Sequence, residues 1–360
     1  MSDLRRSHGF PLNVEVRSDV GRVRSNNEDS FGYAWLDDGS LFVVVADGMG
    51  GHEAGEVASG LAVRVLEDAV TRDSEKDPRE RIYHGLLEAN DAILEEGRRS
   101  GTRGMGTTAV ASIFRGPEVH VGLIGDSRLY HVRRGQLVWR TLDHTRVQML
   151  IERGEITEEA ARTHPEAGML TRALGHSRMA DGQPLVPDVL AEPLMLEEND
   201  ALIFCSDGLH DLVDDWEVAK RIAGLDPGEA AQALVTLANE RGGHDNITVA
   251  VVVAGERTDA FDPDYIPENY LPAGSESTYD DGAAHPDSES SAPPSGDETL
   301  PPPTATPGAS TTRSPPPAPE PKNGSMRIWM IVAVVLAIPL VLGMAISVGV
   351  MIGYFLLMGG

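Results

Sequence analysis

Six short segments of this 360-residue chain carry acids and glycines at spacings that suit metal-assisted phosphoester chemistry. They read RSNNED at 24–29, VVVADGMGGHEAG at 43–55, GTTAV at 106–110, GDSRLY at 125–130, FCSDGL at 204–209 and GHDNITV at 243–249. In four of them an acid stands where an apolar run ends or begins. Asp47 follows LFVVVA, Asp126 follows VGLIG, Asp207 follows ALIFCS, and Asp245 precedes the run NITVAVVVA. Each junction places a carboxylate at a strand end, and the turn through Gly48, Met49, Gly50 and Gly51 also offers a bare carbonyl. Hard cations such as Mg²⁺ and Mn²⁺ take oxygen ligands in octahedral array and retain several waters. A single SDG or GDS is an ordinary turn. Four such junctions in a chain without a nucleotide-binding P-loop point to two-metal hydrolysis, in which an activated water attacks phosphorus and the metals stabilise the added charge.

These acids need a frame of strands. VEVRSDVG, SFGYAWL, LFVVVAD, TAVASIFR, VHVGLIGDS, RLYHVRR, ALIFCSD and NITVAVVVA alternate or are apolar throughout, as half-buried or buried strands do. Helical spacing is found at 53–70, 78–99, 145–153, 157–163, 215–223 and 227–241. The order lacks the regular alternation of a parallel doubly wound sheet. It predicts an α+β fold, a mainly antiparallel two-sheet core flanked by helices.

Composition removes several alternatives. A formal net charge of −26 argues against a nucleic-acid binder, which needs a basic footprint to displace counterions. Cys205 is the one cysteine, so neither a disulfide framework nor a thiolate zinc site can be built, and it reads as a small core residue. The N-terminus, MSDLRRSHGFPLNVEV, has no apolar stretch of secretory length, so no signal peptide is expected.

Three regions are predicted: a globular domain over 1–255, a linker over 256–325, and a membrane span over 328–352 with a short tail at 353–360. The linker is rich in Pro, Ser and Thr and holds thirteen acids against three bases. Such a segment buries too little apolar surface to offset its ordering entropy and reads as a tether. FDPDYIPENY at 261–270 is a frayed domain edge or a short docking motif. No charge occurs from Ile328 to Met358, a length that at about 1.5 Å per residue exceeds a hydrocarbon core of roughly 30 Å. One transmembrane helix is expected, kinked at Pro339. Lys322 and Arg327 on its N-terminal flank place the globular domain in the cytoplasm.

Taken together and in order, the motifs resemble those of the metal-dependent protein serine/threonine phosphatases of the PPM or PP2C type, in the bacterial form with DGMGGH. The resemblance covers about residues 14–254. It implies an αββα sandwich with two Mn²⁺ or Mg²⁺ ions at one end of the β core. By that resemblance Asp47 bridges both ions, the Gly48 carbonyl binds one, and Asp207 and Asp245 complete the other. Glu28 and Asp29 form the acidic pair of the first motif, either of which contacts metal. Asp126, with Asp207, matches the acids of a weaker third metal site. Arg24 matches the phosphate-binding arginine, whose planar fork suits bidentate recognition. His52 is the candidate general acid for the leaving alkoxide. It stands three residues later than the histidine of eukaryotic relatives, so a loop-structuring role competes. His144, His164 and His244 read as structural, as do Thr107 and Thr108. Residues 145–170 resemble the helical flap beside the family's active site.

The expected activity is hydrolysis of phosphoserine and phosphothreonine on cytoplasmic proteins at the membrane, opposing serine/threonine kinases, with no nucleic-acid partner. The competing readings are a catalytically weak phosphoprotein-binding scaffold and a phosphatase dedicated to one anti-anti-sigma-like regulatory partner.

Overall fold

The computed structural model describes residues 4–255 apart from positions 52, 73 and 103. The expected linker, membrane span, tail and FDPDYIPENY segment lie outside the described residues, as does His52. Among the described residues, no helix is long and apolar enough to cross a membrane.

Strands β1 (Arg5–Ser7), β2 (Phe10–Asp19), β3 (Asp29–Trp35) and β4 (Leu41–Met49) come first, followed by helices α1 (Glu53–Arg72) and α2 (Pro78–Ser100). Then β5 (Gly106–Thr107), β6 (Ala109–Arg115), β7 (Glu118–Ile124), β8 (Arg128–Arg133) and β9 (Gln136–Arg140) lead to the short helices α3 (Arg146–Glu152) and α4 (Glu158–Ala161). Next, β10 (Asp188–Val189), β11 (Leu194–Met195) and β12 (Ala201–Cys205) precede α5 (Asp207–His210), α6 (Asp215–Arg221), α7 (Pro227–Glu240) and β13 (Ile247–Ala254).

The strands form two antiparallel sheets, one ordered β1-β2-β13-β12-β8-β9 and the other β10-β7-β6-β4-β3, with β11 on β7 and β5 on β4. Side chains alternate across each central strand, so an uninterrupted apolar run must be covered on both faces. In β4, Leu41, Val43 and Val45 enter the core between the sheets, whereas Phe42, Val44 and Ala46 meet α1 and α2. In β13, Ala250 and Val252 enter that same inner core, while Val249, Val251 and Val253 face α6 and α7. The result is a helix–sheet–sheet–helix stack, as the apolar runs required.

Helix limits follow their caps. Asp77 accepts from Arg79 N ahead of Pro78, and Gly101 closes α2 at φ 77°, a left-handed cap that glycine adopts without penalty. Two hairpins escaped the strand reading. His8 and Gly9 turn β1 back on β2, and Arg134 and Gly135, both at positive φ, join β8 to β9 in the backbone twist that favours two-residue hairpins.

Candidate metal centre

Antiparallel pairing brings the acidic junctions to one end of the sandwich. Asp29 opens β3 and pairs in register with Asp47 near the end of β4. Asp126 follows β7, Asp207 follows β12, and Asp245 precedes β13. Ala109 pairs with Ile124 and Cys205 with Val249, so the end of β7 and the end of β12 both lie at the end where β6 and β13 begin. A cleft of about 920 Å³ opens there, lined by Arg24, Glu28, Asp47, Gly48, Asp126, Asp207 and Asp245.

Hydrogen bonds fix the backbone beneath these acids. The Thr107 hydroxyl donates to Asp47 O at 2.7 Å, Thr108 N donates to the same oxygen at 2.9 Å, and Asp47 N donates to Thr108 Oγ1 at 3.0 Å. The β-branched pair therefore does more than start a strand; it clamps the Asp47 peptide. Asn246 fastens the loop that carries Arg24 and Glu28. Its Oδ1 accepts from Glu28 N at 2.8 Å, and its Nδ2 donates to Asn26 O at 2.8 Å and Val20 O at 3.0 Å. Ser206 donates to Asp29 Oδ2 at 2.8 Å. Gly48 has no room for a side chain, since a Cβ there would collide with the carbonyl oxygens of Gly55 and Glu28.

The electrostatics are those of an acid cluster with too few compensating cations. Burial, then the charges of Asp207, Asp29 and Asp126, pushes the Asp47 carboxyl well above the usual carboxylate range. Asp207 is pushed the same way by burial and then by Asp126, Asp211 and Asp245. Burial, reinforced by Asp143 and Asp211, raises Asp126 to about 7. Asp29 rises to about 6, mainly through burial, which hydrogen bonds from Thr248 and Ser206 only partly offset. Asp207 Oδ1 and Asp29 Oδ1 are buried without a hydrogen-bond partner. Orphaned carboxylate oxygens in an all-oxygen donor set suit a hard divalent cation. Among the described residues, no group of three or more His, Cys, Asp or Glu side chains is spaced to hold a metal ion by itself.

Of the nine residues singled out in the sequence, seven line this cleft and Asp29 is paired with Asp47 next to it; His52 lies outside the described residues. Arg24 reaches across to Asp245, with Nη2 to Oδ2 at 2.6 Å. Of the histidines read as structural, His144 accepts from Gly125 N through Nδ1 and pairs with Asp188 through Nε2, and His164 Nδ1 accepts from Glu166 N. Sequence reasoning missed Asn246 and Ser206, whose partners lie 218 and 177 residues away. It also missed His210, whose Nε2 lies 2.9 Å from Asp126 O, and Arg128, held by both oxygens of Asp143 and by Asp215. For Arg128 the signal was present in GDSRLY.

Known proteins share this arrangement. The family model described as Protein phosphatase 2C matches residues 21–237. Serine/threonine phosphatase stp of Listeria monocytogenes is 38% identical over 247 residues, covering 67% of this chain and 95% of that protein. Serine/threonine protein phosphatase PstP of Mycobacterium tuberculosis is 36% identical over 271 residues, 75% of this chain and 49% of that protein. Among solved structures, the Streptococcus agalactiae serine/threonine phosphatase superposes with a TM-score of 0.62 at 34% identity, covering 68% of this chain and 99% of that one. The PstP catalytic domain in complex with two manganese ions gives 0.59 at 35%, covering 68% and 98%. The matched residues span both sheets and the acidic cleft between their ends, and on that footing the chain belongs to the protein phosphatase 2C family of serine/threonine phosphatases.

Proposed function

We propose that the chain hydrolyses phosphoserine and phosphothreonine on proteins with Mn²⁺ or Mg²⁺ at the acidic cleft, held at the cytoplasmic face of a membrane by residues 328–352. The observation that carries the reading is the convergence of Asp47, Asp126, Asp207 and Asp245 on one cleft that Arg24 also lines, with Asp29 paired to Asp47 and one carboxylate oxygen each of Asp29 and Asp207 buried without a hydrogen-bond partner. The relative solved with two manganese ions supports the choice of metal.

Asp47, Asp207, Asp245, the Gly48 carbonyl and one of Glu28 and Asp29 would hold two ions, and Asp126 with Asp207 a weaker third. Bound there, divalent cations supply Lewis acidity toward phosphoryl oxygens and a water of lowered pKa. The protein's own contribution is orientation. The Arg24 fork engages phosphate oxygens, Asn246 keeps the Arg24 loop against β13, and Thr107 and Thr108 keep the Asp47 backbone rigid. His52 would protonate the leaving alkoxide. No covalent phosphoenzyme is needed.

Tethering raises the local concentration of the enzyme near membrane kinases without any new contact. The natural counterparts would be serine/threonine kinases and their substrates.

The test is manganese-dependent phosphate release from phosphothreonine peptides by the full chain in detergent. Loss of release with EDTA, with Asp47→Asn and with Asp207→Asn is expected. A folded, metal-binding chain that releases no more phosphate than these variants would instead be a phosphoprotein scaffold. Activity confined to one phosphoprotein would mark a dedicated regulatory phosphatase. Fractionation of the full chain against residues 1–255 tests the anchor.

A further inference from the structure

The mouth of the acidic cleft carries apolar side chains that the hydrolytic chemistry leaves unused. Val23 is 69% exposed and Met169 53% exposed, and both line the cleft that holds Arg24, Asp47 and Asp207. They arrive on different segments, Val23 on the loop between β2 and β3 and Met169 on the stretch after α4. Met49 and Pro165 line the same cleft.

Both segments are held in place. Arg22 N donates to Gly243 O at 2.6 Å, and Asn246 grips the carbonyls of Val20 and Asn26 on either side of Val23. Met169 N donates to Glu166 O at 3.1 Å, and Met169 O accepts from Arg146 N at 2.8 Å. The two side chains thus face solvent from anchored backbones. An isolated exposed apolar residue needs no explanation. Two on the rim of one cleft, which Arg24 and the acids that would hold the cations also line, make a contact surface for whatever surrounds a phosphate bound there.

We propose that Val23 and Met169 form an apolar subsite for a hydrophobic side chain flanking the phosphorylated residue. This rests on the phosphatase reading and narrows its substrates to extended segments with Leu, Met, Ile, Val or Phe within two positions of the phosphoserine or phosphothreonine. Two residues of extended chain reach about 7 Å, which sets how far from the phosphorylated residue such a side chain can be. The flexible thioether of Met169 adapts to different shapes, so the selection is for hydrophobicity more than for one side chain.

The experiment compares alanine-based phosphothreonine peptides carrying Leu or Ser at each of the −2, −1, +1 and +2 positions, with the full chain and Mn²⁺, alongside p-nitrophenyl phosphate. At one or more positions Leu should exceed Ser in kcat/KM by about fivefold, mostly through KM, a modest ratio because the subsite is an open rim and not a closed pocket. Val23→Ser and Met169→Ser should each shrink that ratio toward one, and Met169→Leu should keep it. Phosphate release with Leu and Ser within twofold at all four positions overturns the subsite alone, as does a ratio untouched by both serine variants. No release from any peptide or from p-nitrophenyl phosphate overturns the phosphatase reading and the subsite with it.

Discussion

Arg24 Nη2 donates to Asp245 Oδ2 at 2.6 Å, joining residues 221 positions apart, so the cation suited to phosphate is bonded to an acid suited to metal. Half of the Arg24 side chain is exposed, and a pair of this kind adds only about 0–1 kcal/mol to stability. Its value lies in the fork. Arg24→Lys keeps the charge but not bidentate geometry. The variant should raise KM for a phosphothreonine peptide about tenfold while the denaturation midpoint stays within error. An unchanged KM would remove Arg24 from phosphate binding.

Asn246 ties Glu28 N, Asn26 O and Val20 O to the head of β13. Asn246→Ala removes these three bonds, at roughly 1–3 kcal/mol for each group that stays buried and unsatisfied. Urea unfolding should show a loss of about 2 kcal/mol, and calorimetric titration should show weaker Mn²⁺ binding. Full stability in the variant would mean that water replaces the side chain.

Gly48→Ala places a methyl against the carbonyls of Gly55 and Glu28, neither of which can swing away as a side chain could. Overpacking of this kind costs about 1–3 kcal/mol. The expected variant is folded, less stable and almost inactive, because relief requires moving the peptide that bears the Gly48 carbonyl. Retained activity would exclude that carbonyl from the site.

Metal removal should be visible in stability as well as in turnover. A ligand present at about 100 times its Kd stabilises by about 2.7 kcal/mol, equivalent to about 5–10 °C in a domain of this size. Mn²⁺ should raise the wild-type Tm by that order, and EDTA should reverse it. Asp207→Asn removes a buried charge that repels Asp47 and Asp126. Its metal-free Tm should equal or exceed that of the wild type, with little further rise on adding Mn²⁺. A metal-free variant markedly less stable than the wild type would contradict this balance.

A second acid far from the cleft sets the behaviour at low pH. Burial alone would raise the Asp200 carboxyl, but hydrogen bonds from His131 and Arg133 outweigh it and hold the group below its ordinary value. A folded pKa depressed in this way gives stability that is present above the unfolded value, near 3.9, and is lost as pH falls through the folded pKa. Asp200→Asn should cost about 3 kcal/mol at neutral pH by removing the carboxylate that His131 and Arg133 share, and should flatten the stability curve below pH 4. Chemical denaturation at pH 3 to 7 checks the slope.

Much of this was readable in the sequence, for a physical reason. LFVVVA is apolar at every position and ITVAVVVA at every position but Thr248, which burial on both faces explains, and the acids at their ends stand out against that background. The helices expected over 53–70, 78–99 and 227–241 lie within two residues of their observed limits, because long amphipathic segments carry a clear period. What stayed hidden was either too short to carry a period or too distant to carry a pattern. α5 is one turn long, and Asp207, read as the end of a strand, is its first residue. Asn246 and Ser206 look like ordinary polar residues until pairing of β13 with β2 and β12 sets them beside Glu28 and Asp29.

The place of β13 also governs when the molecule comes into being. It lies between β2 and β12, the last described strand in sequence yet interior to its sheet, and it carries Asp245 at its head. As the chain leaves the ribosome, β2 waits through more than two hundred residues for its neighbour. Pairing across so long a separation makes folding slow. A product cut short before Asp245 lacks that acid and leaves an empty slot in the middle of one sheet, so the acidic cleft is completed only when the last described strand has been made.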